Sequence, residues 1–264
     1  MGPPHRGAGP LRDTVPMGER VDVRAALADV AGFNDFFHVD TNPAEAADPT
    51  WRPLTDLWVD PAPMGARITH VGRVLGGDPG PVDDRIAASI TMQGMAARVL
   101  SAPLAVAVLH DVVPALTASD VHWRVFAAGP WPLWVADPGV LAGPGLDVDT
   151  LGAELAGFLV DEHLAPLVAA VRAHVRVSTR TLWGNAASSV AAGKRLVANG
   201  RPHAAERAAR IAAAVLDHPA LAATGERLAP VRPDTGWTFR RRSCCLYYKV
   251  PGGGTCGDCV LTAR

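Results

Sequence analysis

The sequence predicts an α+β protein: a mainly helical body, a small antiparallel sheet, and a C-terminal tail folded back on the helices. Three observations carry that expectation. Apolar residues recur at helical spacing, most clearly as Leu151, Leu155, Phe158, Leu159, Leu164, Leu167, Val168 and Val171. Two short runs of β-branched and aromatic residues, 121–126 and 131–135, flank Ala127-Ala128-Gly129-Pro130 and read as a hairpin. All four cysteines fall in one late stretch, as Cys244, Cys245, Cys256 and Cys259, so the tail carries a chemistry that the body lacks.

Length and composition set the bounds. With 264 residues, 48% of them hydrophobic and 19% charged, the chain can bury a substantial core as one large domain or two small ones. A net charge of −1 lacks the basic excess of a nucleic-acid binder. No run of eighteen or more apolar residues is present, so no membrane span is expected. The most apolar run, 104–109, ends at His110 and Asp111. Peripheral contact with the inner face of a membrane, through a partner, stays compatible with this. The opening MGPPHRGAGP has no apolar core of a secretory signal, which makes the reducing cytoplasm the expected compartment.

In chain order, residues 1–18 read as a disordered leader, 19–236 as the body, and 237–264 as the cysteine segment, forming one compact unit with the body. Val21, Val23, Leu27, Val30 and Ala31 predict a helix ending near Gly32, and Phe33, Phe36 and Phe37 a cap over the core. Pro43, Pro49, Pro53, Pro61 and Pro63 predict an irregular loop over 38–66, pinned to the body by Trp51 and Trp58. Residues 68–74 read as a short strand, closed by a Gly76-Gly77-Asp78-Pro79-Gly80 turn that lacks any nucleotide-loop order.

Asp83 and Asp84 open a helix bearing Ile86, Ile90, Met95, Val99 and Leu100. Ser101 and Pro103 suggest a second helix to about His110, with Met92 and Met95 as packing and Pro114 as the stop. A loop is expected over 137–149, with Asp149 or Thr150 capping the long helix that follows. Asp161-Glu162-His163 lies within that helix, where three consecutive residues splay around the axis and read as a solvated face. Ser178 or Thr179 caps the next helix, to Asn199, and Pro202 begins another that reaches about Asp217. Gly184 and Asn185 are unfavourable inside a helix. Either they admit the tail close to it, with the Asn185 amide bonding the tail or a ligand, or they serve ordinary helix packing.

The cysteine spacing C-C-x10-C-x2-C supplies four thiolates, enough to close a zinc site or a small iron-sulfur cluster. Only Cys256 and Cys259 form the knuckle that a zinc ribbon would repeat, and the adjacent Cys244 and Cys245 point to opposite sides of an extended backbone. A 2Fe-2S rhomb tolerates that pair better than a single tetrahedral ion does. Pro251 and the Gly252-Gly253-Gly254 run let backbone fold over the sulfurs. Arg240, Arg241, Arg242 and Lys249 bring positive charge near such a centre, where it would raise the potential or dock an acidic donor.

The tail, with its Arg-Arg-Ser lead-in and Tyr-Tyr-Lys-Val-Pro-Gly-Gly-Gly centre, resembles that of FhuF-like ferric siderophore reductases; Ala88-Ser89-Ile90 through Leu104, and Leu182-Trp183-Gly184-Asn185-Ala186-Ala187-Ser188-Ser189, are similar to the helical body of that family. The resemblance implies a 2Fe-2S cluster on Cys244, Cys245, Cys256 and Cys259. It also implies one-electron reduction of a ferric siderophore in the cytoplasm, with a ferredoxin or a reductase as donor. Arg240, Arg241, Arg242, Lys249, Trp183 and Asn185 are the candidates for substrate or donor docking. A structural zinc-binding interaction module and a non-catalytic iron-sulfur redox sensor are the alternatives.

Overall fold

The structure, a computed structural model, describes residues 21–78 and 80–262; the leader expected over 1–18 lies outside them. The body is built on α4 (Asp84–His110) and α7 (Thr179–Gly200), which pack along each other. Helix α4 is apolar on every side and buried at positions all around its circumference, as a central helix must be. By length and apolar content it is sufficient to cross a bilayer, against the expectation that no segment would be, yet 78% of its most apolar window is buried inside the fold.

The other helices surround this pair. α1 (Val23–Ala31) is capped by Asp22, which accepts from the N–H groups of Arg24 and Ala25, and ends at Gly32 as expected. Phe37 is fully buried beyond it, with Phe33 and Phe36 packed against the core. After the short α2 (Asp56–Val59) comes α3 (Pro61–Gly76). Residues 68–74 are thus helical, not a strand. Pro61 and Pro63 fall in the first turn of α3, where an N–H has no intrahelical acceptor to lose. The stretch expected as an irregular loop is therefore helical from residue 61. Its tryptophans do pin it: Trp51 Nε1 donates to Glu45 at 2.8 Å, the Arg124 guanidinium lies 4.3 Å from the Trp51 ring, and Trp58 packs on the core.

Helix α4 also runs unbroken through Pro103, where two helices were expected. An interior proline costs a helix about 3 kcal/mol, but this one is buried among apolar neighbours on all sides, and packing outweighs the local preference. The helix stops at Asp111, in the left-handed conformation at φ 60°, ahead of Pro114.

Strands β1 (Val39–Asp40), β2 (Arg52–Pro53), β4 (Val121–Trp123) and β5 (Leu133–Val135) form one sheet in the order β1-β5-β4-β2, and β3 (Val113–Ala115) pairs with β6 (Gly139–Ala142) in a second. The expected hairpin is β4–β5, with His122 opposite Trp134. Among the described residues all strand pairings are antiparallel except β1 with β5. Trp123 and Trp131 stack at 4.5 Å and are buried, so this hairpin serves the core. Residues 139–142 are strand rather than loop.

The next helix is α5 (Val148–Phe158), capped by Asp147 rather than by Asp149 or Thr150, followed by a π-helical turn over Leu159–Leu164 and by α6 (Ala165–His174). The wider turn changes the outcome for Asp161-Glu162-His163. Asp161 is solvated, but the Glu162 carboxylate accepts the Ala118 N–H at 2.6 Å, and His163 is buried against the Leu116 carbonyl at 2.9 Å. After α7 come α8 (Ala205–Asp217), α9 (Pro219–Ala222), and a hairpin of β7 (Gly225–Leu228) and β8 (Thr238–Arg241) that the sequence did not announce.

A candidate metal centre on the C-terminal tail

Strand β8 delivers the tail to the first turns of α7. Within the strand Thr238, Phe239 and Arg241 are buried and Arg240 is half-buried, while Arg242, just past it, is exposed. Arg241 is only 1% exposed. Its Nη2 donates to Asn185 Oδ1 at 2.6 Å and to the Thr181 carbonyl at 3.4 Å, and its Nε donates to the Ser243 carbonyl at 2.6 Å. The Asn185 amide in turn donates to the Ser89 carbonyl at 2.6 Å, and Ser89 Oγ donates to the Cys245 carbonyl at 2.7 Å. A chain of hydrogen bonds thus runs from α4 through α7 to the cysteine segment.

Gly184 makes the approach feasible. A Cβ there would collide with Ser243 Oγ and come within 3.1 Å of Arg241 Nη2. The reading in which Gly184 and Asn185 admit the tail is the one the structure shows.

A second set of ties holds the ends of the segment. Buried Lys194 donates to Asp234 at 3.1 Å and to the Thr235 and Trp237 carbonyls. Arg195 bonds Asp234 at 2.8 Å and reaches Asp258 at 3.5 Å. Asp258 lies inside the Cys256–Cys259 knuckle, its carbonyl accepts the Arg241 N–H at 3.1 Å, and burial pushes its carboxyl pKa up against the pull of Arg195.

The Cys245 and Cys256 thiols meet. The hydrogen bond from Cys256 pulls Cys245 down to about 6, against its burial and with help from the Tyr247 N–H and Arg241, and the same bond pushes Cys256 up. Cys244 and Cys259 each accept a backbone N–H two residues on, from Leu246 and Leu261, both at 3.3 Å. Leu246 takes the left-handed conformation at φ 69° to do so. Cys245 and Cys259 are buried; Cys244 and Cys256 are half-buried.

These residues suit an anionic thiolate-held group. All four cysteines are free, and N–H groups are already directed at two sulfurs. The buried Arg241 keeps one nitrogen, Nη1, with no hydrogen-bond partner among the described residues, close enough to Cys245 and Cys256 to favour their ionised forms. A buried cation with a free donor calls for negative charge beside it. Among the described residues no three His, Cys, Asp or Glu side chains gather around one point as ligands of a single ion.

The docking candidates separate on burial. Asn185 and Arg241 are buried, so these two face the protein rather than a partner, while Trp183 is half-buried and packs in part against the core. Arg242 and Lys249 are exposed. Lys194, Arg195 and Asp258 escaped the sequence reading, and Ser89 and Ser243 entered it only within the resembling segments, without a role of their own. The inward role of Arg241 needed only the alternation of a strand, had β8 been recognised.

Residues 241–261 match the family model described as the FhuF 2Fe-2S C-terminal domain, and all four cysteines fall inside the match. The match covers the tail and not the helical segments. No curated protein matches the chain. The tail is thus a segment of the FhuF 2Fe-2S type, and its cofactor is a 2Fe-2S cluster.

Proposed function

We propose that the chain is a ferric siderophore reductase acting in the cytoplasm, with Cys244, Cys245, Cys256 and Cys259 holding the cluster. The observation that carries this reading is the position of those cysteines: inside the matched segment, with Cys244 and Cys256 half-buried at the surface. A bound 2Fe-2S centre supplies single electrons. Ferric iron in a hydroxamate or similar oxygen chelate needs just one, since the ferrous ion is held far less tightly by hard oxygen donors. The reaction requires no general acid, base or nucleophile from the protein.

What the chain contributes is access and electrostatics. The segment sits at the surface beside exposed Tyr247, Tyr248 and Leu261, within reach of a bulky chelate or a donor protein. Exposed Arg242 and Lys249 offer cations to an acidic ferredoxin or reductase. Buried Arg241 favours the more negative reduced state.

The test is direct. Anaerobically purified protein is expected to hold about two irons per chain. Once reduced, it should be re-oxidised promptly by a ferric trihydroxamate, with Fe(II) appearing on a ferrous-specific chelator. Reduced protein that keeps its electron in the presence of the chelate would instead be a redox sensor, and the reductase reading would fail.

A further inference from the structure

Away from the tail, α3, α4 and residues 127–131 enclose an open cleft of ≈ 450 Å³. Its charge is one-sided: Arg67, His70 and Arg98 line it, and no Asp or Glu does. Arg98 is buried and bonds only main-chain carbonyls, those of Trp131 at 2.7 Å, Phe36 at 3.1 Å, and His38. Burial lowers its pKa to about 10 against the pull of exposed Asp35, so it stays cationic at neutral pH. No carboxylate of the protein neutralises it through a hydrogen bond among the described residues.

The cleft is also polarised along its length. A Cβ at Gly72 would touch that of Ala87 at 3.3 Å, and the Val82 N–H donates to the Gly72 carbonyl, so α3 and α4 run antiparallel across a tight connection. Val74 and Leu75 therefore lie at one end of the cleft, and Ile90 lies between them and Arg67. At the other end Arg67 and Arg98 meet on Trp131: the Arg67 guanidinium is 5.4 Å from the ring centroid, and Arg98 bonds the Trp131 carbonyl. One end is apolar and the other cationic.

Gly94 deepens the space between them. A glycine within a helix costs about 0.5–1 kcal/mol relative to alanine, and nothing lies within 4 Å of where its Cβ would be. Helix packing therefore gives no reason for it. Val74, 66% exposed on the rim, adds apolar surface that no part of the described chain covers.

We propose that this cleft binds an amphipathic anion, a carboxylate on an apolar acyl or aryl body, with the carboxylate at Arg67 and Trp131 and the body along Val74, Leu75 and Ile90. Apolar walls with a few convergent polar groups at one end are the usual form of such a site. The inference stands apart from the cysteine chemistry.

The probe is decanoate, below its micelle concentration, titrated calorimetrically into the cluster-loaded protein, with decyltrimethylammonium as the cationic counterpart. Decanoate is expected to bind one per chain and decyltrimethylammonium not to bind. Gly94→Phe, which fills the cleft from a position with open space, should abolish decanoate binding, and Gly94→Ala should keep it. Arg67→Ala should weaken it about tenfold or more, the loss of one charge-assisted hydrogen bond. Equal binding of the two amphiphiles, or wild-type affinity in folded Gly94→Phe, overturns the proposal. Should Gly94→Phe not fold, unchanged decanoate affinity in Arg67→Ala overturns it equally.

Discussion

Arg98, Lys194, Arg241 and His163 are basic groups taken out of water, and each is settled differently. Arg98 keeps its charge on three carbonyls, Lys194 on a carboxylate and two carbonyls, and Arg241 on carbonyl and amide oxygens with one nitrogen to spare. His163 gives its charge up. Its Nε2 faces the Leu116 carbonyl, which only accepts, so Nε2 carries the proton, and Nδ1 has no partner among the described residues. Desolvation drives its pKa down to about 4, outweighing the opposing pull of neighbouring Glu162 and of the Leu116 carbonyl. Because the folded value lies below the unfolded 6.5, the unfolded chain takes up a proton between those pH values that the folded chain refuses. Stability is therefore full above about pH 6.5 and is lost as pH falls towards 4, by about 3 kcal/mol from this residue. His163→Gln, which can still donate to Leu116, should flatten that part of the slope. The measurement is the urea midpoint of both proteins between pH 7 and 4.5; parallel curves would show that His163 is not the group responsible.

At the scale of elements, the contact between α7 and the tail rests on the missing side chain of Gly184. Gly184→Ala sets a methyl against Ser243 Oγ and the Arg241 guanidinium, and overpacking of this kind costs about 1–3 kcal/mol. Ser243→Ala alone forfeits only the bond to the Arg180 carbonyl at 2.9 Å. Combined with Gly184→Ala it removes the nearer of the two obstructions, leaving the Arg241 guanidinium at 3.1 Å, so the double variant should be more stable than the sum of the two losses, by at least about 0.5 kcal/mol. Strict additivity in denaturant midpoints would place the strain elsewhere. The same contact shows what was legible beforehand. Gly184 and Asn185 stood out because each violates helix preference, and the stripes of α5 to α8 because they repeat. The strand expected at 68–74 failed because prolines were read as breakers where they open α3, and the break expected at Pro103 failed because burial on all sides holds α4 together. Arg240, Arg241 and Arg242 are equivalent as letters. Only the pleat of β8 sends one inward, and that strand went unseen because its partner β7 lies ten residues upstream across a proline-bearing loop.

For the whole molecule, the division of labour between core and tail decides how the protein responds to losing its metal. The main core joins residues from α1 through α9 and includes Phe239 of β8, but none of the four cysteines: Cys245 and Cys259 are buried outside it. Burial of that apolar surface does not depend on the cluster. Metal bound only by the native state adds to stability in proportion to its affinity, so chelation should lower the melting temperature. It should not dissolve the helices at 25 °C. Amide exchange is the discriminating measurement: on metal removal, protection should fall across 241–261 while the central turns of α4 and α7 keep theirs. Protection at Phe239 should also persist, since its side chain belongs to the core rather than to the thiol site. A metal-free chain that loses its far-UV helical signal as a whole would mean that the four sulfurs organise the body as well as the tail, and the core's independence from the cysteine segment would be disproved.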